Sequence, residues 1–197
     1  MLAMMGILAA LPAAGQERKD NRAVLDRPVA DFRLRDLTKD GEANVSLSEF
    51  KDKKAVVLIF TSFNCDACLL HEDRIRRIVK DFAGKPVAFL AVRSSAEDSV
   101  AGMRKYAEEK KFGIPFLDDP RSGLAEVFNV VVTPTFFLID SKGVLRYRGA
   151  FDDGLQEADA KKAYLKPAIE AVIEGREPSP KETRTVGCHM PRGEPEK

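Results

Sequence analysis

Two cysteines three positions apart, Cys65 and Cys68, are the residues of this chain best placed to do chemistry. They follow the apolar run Ala55-Val56-Val57-Leu58-Ile59-Phe60 and open a segment, 66–82, in which Leu69, Leu70, Ile75, Ile78, Val79 and Phe82 recur at helical spacing. A strand that ends in Cys-x-x-Cys and turns into a helix sets the first sulfur over the helix N-terminus, where unpaired N–H groups and the macrodipole stabilise a thiolate. Cys65 is then the exposed nucleophile. Cys68, almost one turn on, resolves a mixed disulfide by bonding to Cys65. Asp66, between them, opposes the thiolate, and the pair is expected to act as a reductant. The redox-active disulfide is the only cofactor this chemistry needs.

The same residues admit metal chemistry. His71 extends the pattern to Cys-x-x-Cys-x-x-His, and a structural zinc site would need Cys188 or His189 from the far end of the chain to complete four ligands. Cys65, Cys68 and either histidine would also suit a soft ion such as Cu(I). Activation at a helix start outweighs both, and no metal is assigned.

The elements around the pair read as alternating strands and helices. Residues 29–37 and 44–47 suit a hairpin around Thr38-Lys39-Asp40-Gly41, with Ser48 capping a short turn to Phe50. Residues 55–60 are of the kind buried on both faces of a sheet; 86–92 follow as the next strand and 97–111 as a charged, solvent-facing helix. Strand, helix, strand is the signature of a parallel βαβ unit. A short strand at 114–117, a small helix carrying Leu124, Val127 and Phe128, and a hairpin of 135–140 with 144–149 come next. A terminal helix is expected within 156–174, stopped at Gly175. Pro134 opens the 135–140 strand, which marks either an edge residue or a cis-proline turn.

Lys and Arg number 32 against 31 Asp and Glu, with no long run of one sign, which argues against nucleic acid as a partner. The first fifteen residues, MLAMMGILAALPAAG, are apolar and end in small residues before a polar stretch, like a signal peptide. They are shorter than the roughly 20 residues a membrane span needs. The expected plan is a signal peptide over 1–15, a linker over 16–28, one domain over 29–175, and an irregular tail over 176–197. A periplasmic or otherwise exported location follows, with no membrane association required.

In the order of its elements, with Cys65-x-x-Cys68 after the central strand and Thr133-Pro134-Thr135 before the hairpin, the chain resembles the thioredoxin superfamily across 29–175. The resemblance implies an α/β, thioredoxin-like fold: a central mixed sheet flanked by helices, here with an N-terminal β-hairpin extension. It also implies that Pro134 is cis and packs on the Cys pair, and that the backbone of Thr133 pairs with a substrate peptide. The leading Asp31-Phe32-x-Leu34-x-Asp36, the insertion before Asp118-Asp119-Pro120, and Thr135-Phe136-Phe137-Leu138-Ile139-Asp140 followed by Arg146-Tyr147-Arg148-Gly149 are similar to the redoxin/TlpA-ResA branch. That branch is typically exported and exchanges disulfides, with protein thiols or disulfides and an upstream electron donor as partners. Thioredoxin's Trp before the first Cys is Asn64 here, and its buried carboxylate six residues before that Cys is Ile59. Where a Glu often serves acid-base chemistry in the branch stands His71, with Glu72 beside it; both are acid/base candidates. Ser62-Phe63-Asn64-Cys65 also resembles the second half of the peroxiredoxin motif, whose Pro position is Leu58, so a peroxidase using Cys65 is the alternative enzyme. Cys188 is a candidate accessory thiol on a tail expected to dock through Val186 and Met190, and its loss is expected to leave exchange within about threefold.

Overall fold

The computed structural model describes residues 22–193. The signal peptide expected over 1–15 lies outside them. The segment expected as a linker is tied down where it is described: Ala23 is buried, its N–H donates to Val127 O (2.7 Å), and Asp26 N–H donates to Leu145 O (2.8 Å).

The chain then forms a short hairpin, β1 (Arg33–Asp36) with β2 (Asn44–Ser46). The turn between them is fastened by Asp36, whose Oδ1 accepts from Thr38 N–H and Oγ1 at 2.9 and 2.7 Å. Ser46, not Ser48, precedes the 3-10 turn Leu47–Phe50; Glu49 takes its N–H, and Ser48 N–H goes instead to Asp31. The central strand β3 (Ala55–Phe60) is buried along its whole length. Successive side chains of a strand point to opposite faces. Ala55, Val57 and Ile59 therefore enter one core, with Ile75, Ile78, Tyr106 and Ile169, while Val56, Leu58 and Phe60 enter another, with Leu124, Phe128 and Phe137.

β3 hands the chain to α1 (Asp66–Asp81), and α1 to β4 (Val87–Arg93), which lies parallel to β3. The next helix, α2 (Val100–Lys110), begins later than its charge pattern implies because the Ser99 hydroxyl accepts Gly102 N–H (3.0 Å) and caps it there. β5 (Phe116–Asp118), α3 (Gly123–Val127), β6 (Val132–Thr133), β7 (Thr135–Asp140) and β8 (Leu145–Gly149) follow. The terminal helix α4 (Leu165–Ile173) is shorter than expected. Residues 156–163 bury no apolar side chain, and Pro167, lacking an N–H, fits only the first turn of a helix.

The sheet runs β2-β1-β5-β4-β3-β7-β8, with β3, β4 and β5 parallel and the remaining pairings antiparallel. The fold is thioredoxin-like α/β, with the N-terminal hairpin added at the β5 edge. The tail expected as irregular carries little regular structure, but it is not detached. Its strand β9 (Cys188–His189) pairs with β6, and Met190 is buried in the second core.

Candidate active site

β3 ends at Phe60, and five residues on, Cys65 caps α1: the Cys65 sulfur accepts the Cys68 N–H at 3.4 Å. When protonated, its thiol donates to Thr133 O at 3.1 Å, so two elements distant in sequence meet at this one sulfur. Cys68 lies behind it, its sulfur accepting Ser62 N–H at 3.4 Å. All three cysteines are free thiols. Both members of the pair are buried, Cys65 at 2% exposure and Cys68 at 1%, which corrects the expectation of an exposed nucleophile. What covers Cys65 is the tail, since Cys188 packs against the Cys65, Ala67 and Cys68 cluster.

The two sulfurs of the pair differ in acidity. The Cys68 thiol donating to Cys65 holds Cys65 down to about 4 from 9.0; burial opposes this, while the side chains of Cys188 and Thr133 and the Cys68 N–H add to it. Cys68 is pushed well above 9.0, first by burial and then by its neighbour's sulfur. Asp66 is exposed, where water screens its field, and the groups that set the acidity of Cys65 do not include it. A stabilised Cys65 thiolate favours the reduced dithiol, whereas the charge of Asp66 opposes it.

The Thr133–Pro134 peptide is cis, and Pro134 lines a cleft with His71, Phe151, Leu155 and Val186. The two acid/base candidates part company. His71 is buried, and its Nδ1 lies 2.7 Å from Ala67 O; a carbonyl only accepts, so Nδ1 carries the proton and Nε2 keeps its lone pair. Burial lowers its pKa from 6.5, leaving a neutral imidazole beside the cis-proline. Glu72, one residue on, turns toward α2, where Oε2 accepts from Lys110 Nζ (2.8 Å) and Oε1 has no hydrogen-bond partner among the described residues. Leu69 and Leu70, expected on the buried face of α1, are exposed beside the site, and His71, Glu72 and Arg74 take the buried face instead.

Asp98 was missed by sequence reasoning. It is buried behind the Cys loop, accepting from Ser62 Oγ (2.8 Å) and Asn64 Nδ2 (3.1 Å), and burial raises its pKa. No spacing in the sequence links a residue before α2 to the loop before α1. Among the described residues, no group of three or more His, Cys, Asp and Glu side chains is arranged to hold a metal ion, and no helix is long and apolar enough to cross a membrane.

The sheet order, the Cys pair at the start of α1 and the cis-proline opposite it define a thioredoxin-like redox protein. More narrowly, the chain belongs to the AhpC/TSA family, whose model matches residues 25–148. It is 34% identical over 117 residues to the thioredoxin-like protein YneN of Bacillus subtilis (strain 168), an alignment spanning 59% of this chain and 65% of the relative. An uncharacterised conserved protein of Geobacillus kaustophilus has a similar structure, with a TM-score of 0.79 and 28% identity over 90% of this chain and 96% of that one. The exposed lipoprotein thioredoxin Etrx1 of Streptococcus pneumoniae strain TIGR4 matches with a TM-score of 0.56 and 27% identity, over 74% of this chain and 99% of its own.

Proposed function

We propose that the protein is a thiol:disulfide oxidoreductase of an exported compartment, in which Cys65 attacks a substrate disulfide and Cys68 resolves the mixed disulfide. The observation that carries this reading is the asymmetry of the pair: one acidic sulfur capping α1, and one suppressed sulfur directly behind it. A thiolate attacks at neutral pH while the resolving thiol is kept protonated until Cys65 is engaged. Thr133 offers backbone groups to an extended peptide, Pro134 shapes the cleft, and His71 Nε2 takes or returns the resolving proton. The exposed apolar side chains of Leu155 and Val186 at the cleft favour a protein thiol or disulfide as substrate. The apolar start of the chain and the likeness to an exposed lipoprotein thioredoxin support export.

Three activities separate the alternatives: insulin disulfide reduction, peroxide consumption and stoichiometric copper binding. Insulin reduction lost in Cys65→Ala, with stable mixed disulfides accumulating on Cys68→Ala, is the expected result. Peroxide consumption far exceeding disulfide exchange would make the protein a peroxidase.

A further inference from the structure

The tail crosses the site as a strand. β9 lies antiparallel to β6, with Cys188 opposite Thr133 and His189 opposite Val132, and Met190 N–H donates to Val131 O at 3.0 Å. It therefore occupies the backbone edge at Thr133, the one that a substrate peptide would use. The approach is close enough to require glycine at 187: a Cβ there would lie 2.0 Å from Thr133 O and 2.8 Å from Thr133 C. The segment is pinned on both sides of the site. Upstream, the Thr183 hydroxyl accepts from Ala150 N–H (2.9 Å) and bonds to Tyr147 Oη (2.7 Å); downstream, Met190 is buried and Ala96 N–H donates to Pro191 O (2.9 Å). Between the pins, Cys188 packs against Cys65, Ala67 and Cys68.

We infer that Cys188 is a third redox thiol, carried on a strand that holds the substrate's place, and that it shares the disulfide of Cys65. The inference rests on the exchange chemistry proposed for Cys65. In the oxidised chain, the Cys188 thiolate attacks the Cys65 sulfur, the Cys65–Cys68 bond breaks as the Cys65–Cys188 bond forms, and the Cys68 sulfur takes the electron pair and the proton that Cys188 lost. No outside oxidant is consumed. Burial and the neighbouring Cys65 raise the pKa of Cys188 in the reduced protein. Once Cys65 is held in a disulfide its charge is gone, and the N-terminus of α1, against which Cys188 packs, favours the Cys188 thiolate. Cys68 reverses the step, and a substrate reaches Cys65 only when the tail strand lifts.

The test uses full-length Cys68→Ser treated with oxidised glutathione. Cys65 displaces one glutathione and becomes glutathionylated; Cys188 then displaces the second and closes a Cys65–Cys188 bond. Tryptic digestion reads this directly, since the bond joins peptide 55–74 to peptide 185–192. The cross-linked pair is expected as the main product, with Cys68→Ser/Cys188→Ser stopping at the Cys65–glutathione adduct. Adduct without cross-link in Cys68→Ser would overturn the role of Cys188 and leave the exchange reading intact. No adduct in either variant would overturn the exchange reading, and this inference with it. Gly187→Ala provides an independent measure: by forcing the tail off Thr133 it should raise the alkylation rate of Cys65 about tenfold or more, and an unchanged rate would show that the strand does not guard the sulfur.

Discussion

At the residue scale, the site turns on how much of the negative charge at Cys65 is stabilised. With Cys65 lowered from 9.0 to about 4, the folded, reduced protein binds fewer protons than the unfolded chain between those values. This contribution to stability is complete above 9.0 and is lost as pH falls through about 4. The ultraviolet thiolate absorbance of the reduced protein is expected to fall with a midpoint near 4, and a midpoint above 8 would mean that the hydrogen bonds to Cys65 do not hold in solution. A stabilised thiolate also moves the potential toward the oxidant end, so a glutathione-equilibrated value above about −200 mV is expected. A value near −270 mV would mean that the charge of Asp66, rather than the hydrogen bonds to Cys65, sets the redox poise. His71, kept neutral by burial, is expected to make exchange about tenfold or more slower at neutral pH when replaced by Gln. An unchanged steady-state rate and pH profile in His71→Gln would reduce the residue to packing.

At the element scale, α1 is anchored by a buried ion pair rather than by apolar contact alone. Arg74 Nη1 donates to both carboxylate oxygens of Asp152 (2.8 and 2.7 Å) and to Gly154 O, and its Nη2 donates to Leu155 O at 2.7 Å. One guanidinium thus fastens the loop after β8 against the helix that carries the cysteines. That loop supplies Phe151 and Leu155 to the cleft, and Asp152 itself lines it, so the ion pair holds one wall of the site in place. Removing one partner strands a buried charge. Asp152→Ala is expected to lower unfolding free energy by about 3–5 kcal/mol in urea denaturation, with Arg74→Met/Asp152→Leu recovering part of the loss. A cost below about 1 kcal/mol would show that water replaces the carboxylate.

At the scale of the whole molecule, the domain carries its own obstruction: the strand that completes the surface around Cys65 is also what seals it. Opening must then be local, because β3 and its neighbours hold the sheet while only the segment around β9 needs to release. Met190 is the apolar anchor of that segment. Met190→Ala is expected to speed hydrogen exchange of the amides at 188–190 by about tenfold or more, with little change in the amides of β3. If both regions accelerate equally, tail and sheet open as one unit.

The αβ order, the central strand and the Cys pair at a helix start were legible in the sequence because each rests on local pattern: a β-branched run, a helical period, a Cys-x-x-Cys spacing. A Pro at a strand mouth left an edge residue or a cis turn open, and only the family resemblance chose cis. The length of α4, the turn of Leu69 and Leu70 to solvent and the parting of His71 from Glu72 were not legible, since burial on a helix depends on which neighbours arrive and not on spacing alone. Asp98 behind the Cys loop and Cys188 in front of it are further cases of the same limit. Chain pairing across long separations is set by packing and backbone hydrogen bonds that no local window contains. The residues from Cys65 to Cys68 determined by themselves that this chain carries a dithiol at a helix start. Only the tertiary structure decided that the dithiol is buried and that a third sulfur lies against it, because the close approach of Gly187 to Thr133 exists only once the tail has folded back over the sheet.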